Sequence, residues 1–306
     1  AKILLPVSNK GYKVIQIPAT PLPDSLNIGA VWCSGNYSGY SYSLYQAANK
    51  LVLKNGYELF VLFSQDDSRQ QAAEISDILE KKNDGLLIVP TYSKANNYKT
   101  LGNHNLIVSL RKSGIPLVLM DRDFPENDLP CVVNNEFHGG RMAAEHFASL
   151  GHKKVALLIP EFSYYVAEQR FGGFITRCAE LNVEAFPYKL PGAPDLDTDP
   201  RWNIYKKHRR EFGEFLKAAG CTALMINQVG IEERILHDLD EFDMDFLLYD
   251  SNAEGTVRHN VWRVERPLND VSAKAVELLF DEIRTGAGAP VKQIRLDPVI
   301  KPLQKI

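Results

Sequence analysis

Two stretches of this 306-residue chain concentrate groups that recognise hydroxyls. The first follows the apolar run NIGAVW and holds Trp32, Ser34, Asn36, Tyr37, Tyr40 and Tyr42. Aromatic faces stack on the C–H faces of sugar rings or on bases, and the polar groups beside them hydrogen-bond. The second is Asp121-Arg122-Asp123, after IPLVLM. A carboxylate accepts and a guanidinium donates, so the pair matches vicinal hydroxyls in a fixed geometry. Plainer alternatives are a partly buried surface loop for the first stretch and a structural salt bridge for the second. Two further polar residues close apolar runs: Asn227 ends CTALMIN and Asp250 ends DFLLYD.

Other chemistries find little support. The seven histidines form no HExxH and no cluster with cysteine, so no metal site and no cofactor are expected. There is no GxSxG, no Walker A motif and no GxGxxG after a strand, and no nucleophile or acid–base constellation that would mark an enzyme. A net charge of -3 excludes a strongly basic nucleic-acid surface, and the short run KKHRR at 206–210 reads as a solvated face. No apolar run approaches the roughly 18–20 residues of a membrane span, so no membrane partner is expected. Cys33, Cys131, Cys178 and Cys221 are scattered, which predicts reduced, buried thiols in a cytoplasmic protein.

Short apolar runs alternate with amphipathic ones from Asn27 onward. Leu44, Ala47, Ala48, Leu51 and Val52 share one helical face; Ala72, Ile75, Ile78 and Leu79 share another, behind a Ser68/Gln71 capping-box spacing. Alternating strands and helices mean βαβ units and parallel sheets. LLIVP, LVLM and ALLIP are apolar at successive positions, as in strands covered by helices on both faces. The rhythm restarts near residue 135, which favours two doubly wound α/β lobes over a closed barrel. The stretch 191–210 reads as an irregular, charged insertion.

Residues 85–175 carry a family likeness. GLLIVP, GIPLVLMDRD, CVVNNEFHGGRMAAEHFASLGHKKVALL and AEQRFGGF closely resemble the effector-binding core of lactose-repressor-type transcription factors, and RPLNDVSAKAVELL fits the same pattern further on. The resemblance covers roughly residues 27–300 and implies the type I periplasmic binding protein fold: two parallel-sheet lobes joined by a three-crossover hinge. It implies an N-terminal lobe of 27–134 plus 268–286 and a C-terminal lobe of 135–267 plus 287–306. It also implies ligand contacts from Asp121, Arg122, Arg170, Asn227 and Asp250. Gln169 stands where the family has Glu beside that arginine, Gln228 replaces the Asp after Asn227, and Arg266 takes a place where many members have Gln. With Asn36, Tyr37 and Tyr40 the expected pocket suits a monosaccharide or a derivative.

The leading LLPVSNKGYKVIQIP resembles the wing of a winged-helix domain of the gluconate-repressor type, with Asn9, Lys10 and Gly11 as turn residues and Pro18, Pro21 and Pro23 as a stiff linker. The alternative is a hairpin belonging to the core. On the first reading, residues 1–26 are the remnant of a DNA-binding head. The function implied is the ligand-sensing domain of a transcription regulator. A sugar closes the lobes of a homodimer and alters its affinity for operator DNA through a domain absent from this chain. The competing function is a periplasmic sugar-binding protein of a transporter.

Overall fold

A computed structural model describes residues 2–7, 11–16, 27–33, 39–93, 100–124, 126, 128–160, 165–190, 201–227, 232–249, 260–286 and 290–303. The chain forms two compact units, one of residues 1–134 and 267–296, the other of 135–266 and 297–306.

The first unit begins with a hairpin, β1 (Lys2–Val7) and β2 (Gly11–Gln16), which makes a two-stranded sheet of its own. Gly11 opens β2, while Asn9, Lys10 and the proline cluster lie outside the described residues. Then come β3 (Asn27–Trp32), α1 (Gly39–Lys54), β4 (Glu58–Phe63), α2 (Ser68–Glu80), β5 (Gly85–Ile88), α3 (His104–Lys112), β6 (Leu117–Met120) and β7 (Cys131–Asn134). The second unit carries α4 (Glu136–Ser149), β8 (Lys154–Pro160), α5 (Tyr165–Glu180), β9 (Glu184–Leu190), α6 (Arg201–Ala219), β10 (Ala223–Ile226), α7 (Glu232–Asp238), β11 (Asp245–Tyr249) and β12 (Val261–Glu265). The chain returns to the first unit for α8 (Leu268–Thr285) and β13 (Gln293–Leu296), and ends with β14 (Val299–Pro302) in the second.

Each unit is built on a six-stranded sheet, ordered β13-β7-β6-β5-β3-β4 and β14-β12-β11-β10-β8-β9. All these pairings are parallel except β12–β14. Alternate residues of the apolar strands go to opposite faces, and both faces are covered. Leu86, Ile88, Leu117 and Leu119 pack with Ile75 and Ile78 of α2 and Ile107 and Leu110 of α3. Leu87, Val118 and Met120 pack with Leu44, Ala48 and Val52 of α1 and with Val271, Ala275 and Leu279 of α8. The second unit repeats the scheme, with Phe147, Phe171 and Phe174 of α4 and α5 on one face and Tyr205, Phe212 and Ile235 of α6 and α7 on the other.

Three sequence expectations need correction. The segment Gln293–Leu296 does not join the C-terminal lobe, as the lobe bounds above implied: β13 pairs with β7, Gln293 opposite Cys131, and belongs to the first unit. The N-cap of α2 is Asp67, whose carboxylate accepts from the Arg69 and Gln70 amides, so Ser68 and Gln71 form no capping box. Gln71 instead turns inward and is fully buried. The basic run 206–210 is not irregular but lies on α6.

All four cysteines are free and buried. Burial pushes the thiols of Cys33 and Cys221 up to about 11 and those of Cys131 and Cys178 up to about 12. Thiolate is the reactive form. The native chain should therefore show no prompt reaction with an aromatic disulfide reagent at mildly alkaline pH, and all four thiols should react after denaturation. A fast native reaction would show that these sites open freely.

Candidate functional site

In open α/β sheets, ligands bind beyond the carboxyl ends of the strands. Each unit places a polar cluster there. In the first unit the centre is Asp121, directly after β6. It is almost fully buried and adopts a left-handed backbone, φ 63°, a conformation that costs a non-glycine residue energy and that the surroundings must hold in place. Its amide donates to the Val132 carbonyl of β7 at 2.9 Å. Tyr40, in the first turn of α1, donates from its hydroxyl to Asp121 Oδ2 at 2.7 Å. Asn134, the last residue of β7, donates from Nδ2 to Asp121 Oδ1 at 2.7 Å.

Arg122 does not form a close pair with its neighbour. Its Nε lies 3.9 Å from Asp121 Oδ2, and its Nη1 donates to the Pro90 carbonyl at 2.8 Å. The guanidinium lies over the Tyr92 ring, 4.2 Å from its centroid. Burial works against its charge, but Cys33, Tyr92, Tyr40 and Asp121 more than compensate and keep its pKa above the ordinary arginine value. The loop that holds Arg122 is fixed by Gln71. That side chain donates to the Val89 carbonyl at 2.9 Å and accepts from the Thr91 amide at 3.2 Å, flanking Pro90 on both sides.

In the second unit the centre is Glu136, in the first turn of α4. Arg170 of α5 forks onto it, with Nε to Oε2 at 2.7 Å and Nη2 to Oε1 at 3.0 Å. The remaining edge of Arg170 donates from Nη1 to Asn227 Oδ1 at 2.7 Å, just after β10. Tyr249, ending β11, donates from its hydroxyl to Glu136 Oε2 at 3.0 Å and offers its ring face to the Arg170 guanidinium at 3.9 Å. Arg266, after β12, brings Nη1 within 3.7 Å of Glu136 Oε1. Gly139 makes room for this arrangement: a Cβ there would collide with the Tyr249 hydroxyl.

The structure thus joins Tyr40 to Asp121, places Arg122 beside them, joins Arg170 to Asn227, and sets Arg266 and Arg170 on one carboxylate. Asn36, Tyr37 and Asp250 lie outside the described residues. Trp32 is fully buried in the core and Tyr42 is exposed on α1, so neither adds an aromatic wall to this cluster. Glu136, Asn134 and Tyr249 are organising residues that pattern reading did not single out for the site. Among the described residues no group of three or more His, Cys, Asp or Glu could hold a metal ion, and no helix is long and apolar enough to cross a membrane.

Residues 25–189 match the family described as periplasmic binding proteins and sugar binding domain of LacI family. A transcriptional repressor, PurR of Mannheimia succiniciproducens, is 30% identical over 47% of this chain and 41% of its own length. An arabinose metabolism transcriptional repressor of Geobacillus stearothermophilus is 26% identical over 78% of this chain. The match spans 65% of that relative, so less than two thirds of either repressor is represented here. Among solved structures, the Cra transcriptional dual regulator of Pseudomonas putida in complex with fructose 1-phosphate has the same fold, with a TM-score of 0.67 at 14% identity over 92% of this chain and 99% of that one.

Proposed function

From the premise that this chain belongs to the family of periplasmic binding proteins and LacI-type sugar-binding domains, we propose that it senses a small sugar for a transcription repressor. The observation that carries this reading is the pair of polar clusters, Asp121 with Tyr40 and Asn134, and Arg170 with Glu136 and Asn227. Both stand where strands of a doubly wound sheet end, and both are made of groups that match hydroxyls. The arabinose-metabolism relative supports a sugar, and both relatives' names favour a regulator over a transport component.

A monosaccharide that binds one conformation of the chain better than another shifts the equilibrium between them. In a homodimer bearing DNA-binding heads, that shift changes operator affinity, with reciprocal coupling between sugar and DNA. The hairpin β1–β2, a sheet separate from the other two, suits the wing of such a head.

A thermal-shift screen of pentoses, hexoses and their phosphates tests the reading. One sugar should raise the melting temperature of the wild type in proportion to its excess over Kd. Asp121→Ala should weaken that sugar about tenfold to a hundredfold, the value of a hydrogen bond to a charged group. A full panel without effect on the wild type would sink the proposal.

A further inference from the structure

The N-terminus of α4 has the makings of an anion site. A helix start presents unpaired amides and the positive end of the macrodipole. Two guanidinium groups, those of Arg170 and Arg266, converge on the same spot. The anion that fills it is Glu136, the side chain of the helix's own first residue. Its carboxylate is nearly dry, as is Arg170. Arg170 donates twice to Glu136 and once to Asn227. The Tyr249 hydroxyl donates to that same carboxylate.

We infer that Glu136 sets the charge class of the effector: it is a built-in anion that occupies the guanidinium site and restricts the ligand to an uncharged sugar, excluding sugar phosphates. This rests on the sugar-sensing function proposed above. A phosphate approaching Arg170 must displace the carboxylate or lie beside it. Either route loses a bidentate charged pair or sets two anions together in a poorly hydrated place. An uncharged hydroxyl meets neither obstacle. It accepts or donates at the Asn227 edge while the fork stays intact.

Glu136→Gln keeps the size of the side chain and an acceptor for Tyr249 but removes the charge. Inorganic phosphate is a probe that needs no knowledge of the sugar. Millimolar phosphate should raise the melting temperature of Glu136→Gln and leave that of the wild type unchanged at matched ionic strength. The preference for the neutral sugar over its phosphate should fall by at least about tenfold. Glu136→Asp keeps the charge and should keep the wild-type preference, which a merely structural role for this residue would not predict. If Glu136→Gln does not fold, the wild type decides alone. A sugar phosphate that binds it as tightly as the parent sugar overturns the inference. A neutral sugar bound by the wild type, with no gain for phosphate in a folded Glu136→Gln, also overturns it and leaves the sugar-sensing function standing. A wild type that binds no sugar overturns both.

Discussion

Glu282→Ala should destabilise the first unit by about 3–5 kcal/mol, because it strands a buried cation. Glu282 of α8 and Arg111 of α3 form an ion pair in which both side chains are almost entirely removed from water. Deleting the carboxylate leaves the guanidinium desolvated without its counter-charge, and Arg111→Ala leaves the converse. Replacing both partners, as in Arg111→Met with Glu282→Leu, should recover most of the loss. The desolvation cost then disappears along with the attraction. Urea unfolding of the two single variants and the double variant forms a cycle that measures this. A double variant as unstable as the sum of the singles would mean that the pair does not stabilise as a unit. Because α8 packs on the sheet face that also holds α1, the loss should appear as cooperative unfolding of that unit and not as local fraying.

Gly140→Ala should be nearly as damaging, and for a different reason. Helices α4 and α5 cross with their backbones almost touching at two glycines. A Cβ on Gly140 would overlap the Arg170 carbonyl oxygen and come within 2.8 Å of the Phe174 amide nitrogen. A Cβ on Gly173 would overlap the Phe137 carbonyl oxygen in the same way. Backbone cannot rotate aside as a flexible side chain does, so the helices must separate. The expected cost is about 1–3 kcal/mol or more. Separation also pulls Arg170 away from Glu136, so sugar binding should fall along with stability. Gly172→Ala is the control. Its Cβ would meet nothing nearer than the Phe137 ring at 3.7 Å, an ordinary contact. Alanine in mid-helix is favoured over glycine by about 0.5–1 kcal/mol, so that variant should be neutral or slightly more stable. Equal losses for Gly140→Ala and Gly172→Ala would refute the close-crossing argument.

How much of this was legible in the sequence depended on how local each signal was. Strands such as LVLM of β6, buried at every position, announce a sheet covered on both faces. The stripe of α2 announces one of its covers. The start of α2 was misread by one residue, because Ser68 and Asp67 are both good caps and periodicity does not choose between them. The place of β13 was misread because it depends on pairing with Cys131–Asn134, some 160 residues earlier in the chain, which leaves no local trace. In the candidate site, the positions of Tyr40 and Asp121 after strands were readable in the sequence, whereas the hydrogen bond between them was not. Glu136 was visible only as an acidic residue in a helix's first turn, where such residues are common. Its meaning comes from Arg170, Tyr249 and Arg266, which the fold gathers from three different elements. Gln71 was hidden for a similar reason: its part in holding Pro90 depends on α2 lying against the end of β5.

The central claim is that this chain binds a small sugar through the polar clusters centred on Asp121 and on Arg170. Calorimetric titration of that sugar into the wild type, Asp121→Ala and Asn227→Ala tests it most directly, since the first substitution lies in one unit and the second in the other. The account predicts that each variant still folds, Asp121→Ala with a lowered unfolding midpoint because Tyr40 and Asn134 lose their acceptor, and that each binds the sugar about tenfold or more weakly. Wild-type affinity in either folded variant would contradict it.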